Sequence, residues 1–269
     1  MAKRLSRQPL DWSARAFATR GGVLLNDALL QSYASGFYGY GSHTAPIWFV
    51  GLEEGGAQDF QEVAHKVEAW HLRGKRELED LLEFHVAIGI DRWFGATPRI
   101  QTTWGKYTRL VLSAKGIPPT RDEVRRYQST QLGRAQSETC LIELLPLPSP
   151  STGVWPYVGN STLVHLGSRS AYRAHYLPPR AAHISRRIRE CQPLVVIFAG
   201  ITMTDASIWT YFGLPSTTRH LIQAKAFAVT CLGSTLIVAM QHPAARGVPN
   251  SYFEDLGEWI GQKVPVLAA

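Results

Sequence analysis

The sequence of 269 residues has few cysteines, few charged residues and no long apolar run. Its three cysteines, Cys140, Cys191 and Cys231, lie far apart, and no two of them have the spacing of metal ligands. This pattern predicts reduced thiols in an intracellular protein, cytoplasmic or nuclear, with no bound metal. No apolar run approaches the roughly 20 residues of a transmembrane helix, so we expect no membrane partner.

Common catalytic motifs are also missing. The sequence contains no P-loop, no Gly-x-Ser-x-Gly turn and no His-Glu-x-x-His pair. These absences argue against nucleotide hydrolysis, serine-hydrolase chemistry and zinc proteolysis. No motif indicates a cofactor, and we expect none.

Basic residues outnumber acidic ones, with 28 Lys and Arg against 21 Asp and Glu, a net charge of +7. Such an excess favours a polyanionic partner, nucleic acid first. Hydrophobic residues make up 45% and charged residues 18%, which predicts a globular chain. Residues 1–20 are rich in Arg and poor in acids. We interpret them as a basic arm rather than a transit peptide, followed by one α/β domain over 21–269.

Short apolar runs alternate with helical patterns along the chain. Runs at 46–51, 139–147 and 194–200 predict strands, as do "AFAVTC" and "TLIVAMQHP" near the end. Helical patterns occupy residues 58–89 and other segments between these runs. This alternation predicts an α/β fold with a right-handed, mostly parallel sheet and helices on both faces.

Unusual polar residues follow three of the predicted strands. The segments are "GLEEGG", "ELLPLPSPS" and "QHPAARGVPN". Because the carboxyl ends of parallel strands meet at one edge of a sheet, we expect the three segments to form one site. That site would contain carboxylates, a histidine, an arginine and glycines that allow close approach of the backbone.

Taken in order, these motifs resemble the uracil-DNA glycosylase superfamily. "VGLEEGG" is similar to the Gly-x-acidic motif after the first strand, and "MQHPAARG" to the His-Pro motif after the last. "PLVVIFAGITMTDAS" resembles the third strand with its helix, and "TCLIELLPLP" stands where the base-reading motif is expected. The resemblance covers about residues 40–262. It implies a single α/β domain with a short, mostly parallel four-stranded sheet flanked by helices.

The resemblance implies that Glu53 and His242 are catalytic. Cleaving an N-glycosidic bond builds positive charge on the sugar and negative charge on the base. Glu53 would stabilise the first charge and activate water, and His242 would stabilise the second. Gly51, Glu54 and Gly55 would complete the pocket, with Glu54 at a position where many relatives have proline. The alternatives are that the glutamates cap a helix or pair with arginine, and that the histidine binds a carbonyl group.

Glu143 falls where uracil-reading relatives have asparagine. An ionised carboxylate only accepts hydrogen bonds, which suits the amino group of cytosine, and a protonated one could donate to N3. The residue therefore predicts a cytosine-like or modified base, with an ion pair to arginine as the alternative. Trp155 and Tyr157 are candidates to stack on the base, or are simply core residues.

Three arginines are candidate DNA-binding residues. Arg246 lies four residues after His242, where relatives place a side chain that wedges into the base stack. It would fill the emptied stack or hold a phosphate. Arg169 and Arg173 are expected on a phosphate-binding face. For each of them, an ordinary surface arginine is the alternative.

The sequence thus predicts a monofunctional DNA glycosylase that flips a nucleotide and hydrolyses the base–sugar bond to leave an abasic site. The role would be repair, or defence against foreign modified DNA. Hydrolysis is expected rather than lyase chemistry because the three segments contain no lysine. The alternatives are a non-catalytic nucleic-acid-binding protein on the same fold, and a nucleosidase or deoxyribosyl transferase acting on free nucleosides. Nothing in the sequence indicates a protein partner.

Overall fold

The computed structural model describes residues 18–19, 22–23, 26–151, 153–200 and 206–267. The helices within these ranges are α1 Asp27–Gly36, α2 Phe60–Leu72, α3 Leu81–Ala87, α4 Thr102–Ala114, α5 Arg121–Thr130, α6 Arg169–Cys191, α7 Ala206–Phe212 and α8 Asn250–Lys263. The strands are β1 Ala18–Thr19, β2 Gly22–Val23, β3 Gly39–Tyr40, β4 Ile47–Gly55, β5 Leu78–Glu79, β6 Thr139–Ser149, β7 Val195–Ala199, β8 Thr218–Ile222, β9 Lys225–Leu232 and β10 Thr235–Met240. Apart from β1, the predicted basic arm lies outside the described residues.

Eight strands form one mixed sheet in the order β5-β3-β6-β4-β7-β10-β9-β8, and β1 pairs with β2 separately. The four central strands, β6, β4, β7 and β10, run parallel to one another. The β3–β6, β10–β9 and β9–β8 pairs are antiparallel. The fold is therefore α/β, but the expectation of four mostly parallel strands was wrong.

Two features extend the sheet beyond its parallel centre. On one side, the turn between β9 and β10 contains Gly233 with φ of 62°, and so short a connection forces the two strands to be antiparallel. On the other side, β3 and β5 are two residues each. Strands this short leave no periodic signal in the sequence.

The centre of the sheet is covered on both faces. Ile47–Gly51 of β4 and all five residues of β7 are buried, which accounts for their uninterrupted apolar sequences. On α4, the Tyr107 ring stacks on Phe49 of β4 with centroids 4.2 Å apart. This packing fixes the orientation of the strands whose carboxyl ends carry the polar segments.

A buried arginine fastens the long helix α6 to the sheet. Arg180 is 1% exposed. It follows Pro178 and Pro179, which lack the backbone N–H groups of a regular helix. Its guanidinium donates to the carbonyl oxygens of Ala34, Phe37, Glu143 and Leu144 at 2.6–3.0 Å. Helix α6 begins at Arg169, so the anchoring of Arg180 also fixes the position of Arg169.

Among the described residues, no helix has the length and apolar character needed to cross a bilayer.

Candidate functional site

The two glutamates that follow the first apolar run lie inside β4. Gly51 pairs with Glu143 of β6 and Glu53 with Leu145, and the register shifts between Glu53 and Gly55. The strand therefore continues four residues past the predicted end at Gly51. This irregular last part of β4 carries two consecutive carboxylates towards the carboxyl ends of the central parallel strands.

Glu53 forms an ion pair with Arg169 at the start of α6. The two side chains are 15% and 19% exposed, so the pair is largely shielded from water. Burial raises the pKa of Glu53, and the charges of Arg169 and Arg173 act in the opposite direction. Glu53 is thus a partly desolvated carboxylate steadied by a cation, and Gly55 beyond it is exposed.

Arg169 also organises the loop after β6. It donates to Ser149 Oγ at 2.6 Å and to the carbonyl oxygens of Ser151 and Val154 at 2.6 and 2.8 Å. Its guanidinium lies over the Trp155 ring, 5.2 Å from the centroid. The structure therefore places Arg169 within the site as a connector between a loop and a carboxylate.

The two candidate stacking residues occupy different positions. Trp155 is partly exposed, with its indole N–H donating to Leu166 O at 2.8 Å. Tyr157 is 0% exposed, and its hydroxyl donates to Pro148 O at 2.9 Å. Tyr157 therefore supports the loop from inside and offers no accessible face to a base in this conformation, whereas Trp155 is partly exposed.

Glu54 has a different set of partners, which were not predicted from the sequence. Its Oε1 accepts hydrogen bonds from Lys66 Nζ on α2 and, at 3.1 Å, from the Tyr40 hydroxyl. The Lys66 and Glu54 side chains are only 11% and 12% exposed. Although the three polar segments lack lysine, helix α2 thus supplies one to the site, where it forms an ion pair with Glu54.

Glu143 lies directly against Gly51. A Cβ at position 51 would be 2.7 Å from the carboxyl carbon of Glu143, so the absence of a side chain there is what makes room for this carboxyl group. Neither of its oxygens is hydrogen-bonded to a described residue, and Oε2 is sealed from solvent. Burial, together with the charge of Glu54, raises the pKa of Glu143 to about 8.

His242 follows β10 and packs on Gly200, which follows β7. Gly200 has φ of +73°, and a Cβ there would be 3.0 Å from His242 Cγ. His242 Nδ1 accepts a hydrogen bond from the Ala244 amide at 3.0 Å, so the neutral ring carries its hydrogen on Nε2. Although the His242 side chain is exposed, partial burial of its ring lowers the pKa of His242, which favours that neutral form at pH 7.

Most of the predicted site residues therefore meet at one edge of the sheet. Glu53 and Glu54 lie in the last part of β4, and Glu143, within the adjacent β6, pairs with Gly51 of β4. His242 is two strands away from β4, a separation of about 10 Å. Arg246 is exposed and makes no hydrogen bond to a described residue. Arg173 is close enough to affect the titration of Glu53.

No group of three or more His, Cys, Asp or Glu side chains in the described part of the chain could hold a metal ion. No protein-family model matches the sequence, and no curated protein is similar to it.

Proposed function

We propose that this protein is a monofunctional DNA glycosylase that hydrolyses the bond between a flipped base and its sugar. The observation that carries the proposal is that a shielded carboxylate, Glu53, and an imidazole, His242, belong to the same end of two parallel strands whose axes lie about 10 Å apart. A carboxylate on one side and a neutral hydrogen-bond donor on the other match the two charges that develop when the bond breaks.

Glu53 is suited to act on the sugar side. The Arg169 guanidinium holds its carboxylate in place through the ion pair, leaving the second oxygen to activate water. The negative charge would also stabilise the positive charge that grows at C1′. A general base of this kind typically contributes 10²–10⁴-fold to the rate.

His242 is suited to act on the base side. Since its Nδ1 is occupied by the Ala244 amide, Nε2–H is the free donor. It would donate to the oxygen of the departing base, where negative charge accumulates.

The remaining residues support a cytosine-like or modified base within DNA. Glu143 would bind the edge of the base, and the exposed part of Trp155 would stack on its face. Arg246 and Arg173 would contact phosphates or the emptied stack, consistent with the net charge of +7. The biological role would be repair, or defence against foreign DNA that carries modified bases.

The direct test is incubation with DNA duplexes that contain uracil, hypoxanthine, a mismatch, or 5-substituted and glucosylated cytosines, followed by hot alkali to reveal abasic sites. One substrate should be cut, and Glu53→Gln and His242→Ala should each lower the rate by about 100-fold or more. Glu258→Gln is the matched control, because Glu258 is exposed and makes no ion pair with a described residue. DNA binding without cleavage of any substrate would instead indicate a non-catalytic binder.

A further inference from the structure

We propose that Glu143 is a general acid that protonates N3 of a cytosine-type base as the glycosidic bond breaks, and that its burial beside the charge of Glu54 keeps the proton on it. This inference rests on the proposed glycosylase function and names its substrate class.

The arrangement of charges is the first argument. Two carboxyl groups, Glu54 and Glu143, are close enough to interact electrostatically, and Lys66 is the cation beside them. Lys66 and the Tyr40 hydroxyl both bind Glu54. Glu143 receives neither, and like charges at close range cannot both persist in a shielded site. The carboxyl group without a partner is the one that keeps its proton.

The unpaired atoms around this cluster are the second argument. Glu143 Oε2, Glu54 Oε2 and the Tyr33 hydroxyl are all buried with no hydrogen-bond partner among the described residues. Tyr33 is 0% exposed. Buried polar atoms are nearly always hydrogen-bonded in folded proteins. The unsatisfied carboxyl oxygens of Glu54 and Glu143 are therefore consistent with a site in which a polar ligand supplies the missing partners.

No cation of the described residues forms an ion pair with Glu143. Arg180 of α6 is committed to backbone carbonyls, Glu53 is negative, and the pKa of Tyr107 on α4 is raised by burial, which leaves it neutral. Burial and the charge of Glu54 together raise the pKa of Glu143 to about 8, against the opposing charges of Lys66 and Arg180. At neutral pH the group is therefore mainly a carboxylic acid.

The chemistry of the step follows from that protonation state. With its side chain rotated towards the base, the O–H of Glu143 would donate to N3 of cytosine, and its carbonyl oxygen would accept from the 4-amino group. As the C1′–N1 bond breaks, its electron pair leaves with the base and the proton moves from Glu143 to N3. The base then departs as a neutral molecule instead of an anion. Water adds to C1′ and gives a proton to Glu53, and solvent returns that proton to Glu143.

The same step excludes uracil as the best substrate. N3 of uracil already carries a hydrogen, so it cannot take a proton from Glu143. Uracil could still be held by two hydrogen bonds, but it would leave as an anion. Discrimination between the two bases would therefore appear in the chemical step more than in binding.

The experiment is single-turnover excision from DNA that contains cytosine, 5-methylcytosine, 5-hydroxymethylcytosine, glucosylated hydroxymethylcytosine or uracil. Beside the best substrate, its 3-deaza analogue is tested, which keeps the amino group but has no nitrogen at position 3. Glu143→Gln is the matched variant, because an amide keeps one donor and one acceptor but cannot transfer a proton. We expect it to bind DNA within about threefold of wild type and to lose about 100-fold or more in rate. The 3-deaza analogue should resist wild-type protein.

A measurement without substrate tests the proton itself. The infrared carbonyl band of a protonated carboxylic acid should be present in wild-type protein at pH 7 and absent in Glu143→Gln. In Glu54→Gln the band should disappear at a pH lower by about one unit or more, and the high-pH limb of the excision rate should move with it. A merely structural role for Glu54 would not shift that limb.

The outcomes separate the two proposals. Excision of uracil with every cytosine derivative left intact, or full activity of Glu143→Gln, would overturn this inference and leave the glycosylase proposal standing. An absent carboxylic-acid band at pH 7 would also overturn it. Failure to excise any base would overturn the proposed function and this inference together.

Discussion

The unusual protonation of Glu143 makes a prediction about folding that needs no substrate. An unfolded glutamate has its ordinary pKa of 4.5, whereas that of Glu143 in the folded protein is about 8 because of burial and the charge of Glu54. Between these two values the folded state holds a proton that the unfolded state has lost, so stability falls as the pH rises. The loss is complete above pH 8. Because pH 7 lies about 2.5 units above the unfolded pKa of 4.5, the free energy of unfolding at pH 7 is lower by about 3 kcal/mol than it would be with the proton held in both states.

Replacing the group with its neutral isostere removes this loss. Glu143→Gln should therefore be about 3 kcal/mol more stable than wild type at pH 7, with a difference of about 1 kcal/mol at pH 5 and about 5 kcal/mol at pH 9. Urea unfolding at the three pH values measures the differences directly. Glu258→Gln, at an exposed position, should change stability by no more than about 0.5 kcal/mol. A difference between wild type and Glu143→Gln that stays constant with pH would refute the reasoning.

Three further outcomes are expected. Burial acts to raise the pKa of Glu77, but hydrogen bonds, the first from His183, lower it to about 2. Glu77→Gln should therefore lower the free energy of unfolding by about 1–3 kcal/mol at pH 7, as measured by urea unfolding. This difference from wild type should shrink as the pH falls from 4.5 to 2. Gly51→Ala should displace the Glu143 carboxyl, because its new methyl group would contact that flexible side chain rather than backbone; excision should fall at least tenfold while the melting temperature changes little, and a large loss of stability would contradict this. Nitrogen NMR of His242 should show the neutral ring with hydrogen on Nε2 at pH 7, because burial lowers its pKa; a cationic ring at pH 7 would be incompatible with the structure.

The convergence of the polar segments could be predicted from the sequence because it depends on local patterns. Apolar runs that end in polar segments indicate the direction and rough position of strands, and β4, β6 and β10 do run parallel in the centre of the sheet, although Glu53 and Glu143 lie within β4 and β6 rather than after them. Glu53, Glu143 and His242 were therefore predicted to share one edge. The edges of the sheet were not predictable in this way, because β8 is largely exposed and carries a mixed sequence.

The contacts within the site depend on tertiary packing and left no such signal. Lys66 lies 12 residues after Glu54, on α2, and contacts it through the fold. The sequence of this segment indicates only an amphipathic helix. Arg169 reaches Glu53 across 116 residues. Tyr157 and Trp155 are two residues apart in one aromatic loop, and only packing against Pro148 and the core decides that the tyrosine is buried. Sequence patterns identify which residues can do chemistry, and packing decides their partners.

The ion pair that Lys66 makes with Glu54 has a consequence for how this site can diverge over time. An asparagine at position 143 would donate and accept hydrogen bonds whatever its neighbours' charges, so it would place no constraint on positions 54 and 66. A glutamate there depends on which carboxylate Lys66 neutralises. Changes at 54, 66 and 143 are therefore epistatic, and loss of the lysine alone would leave two competing carboxylates. In homologous chains these three positions should change as a set, with charge conserved across the set more strictly than at any one of its members.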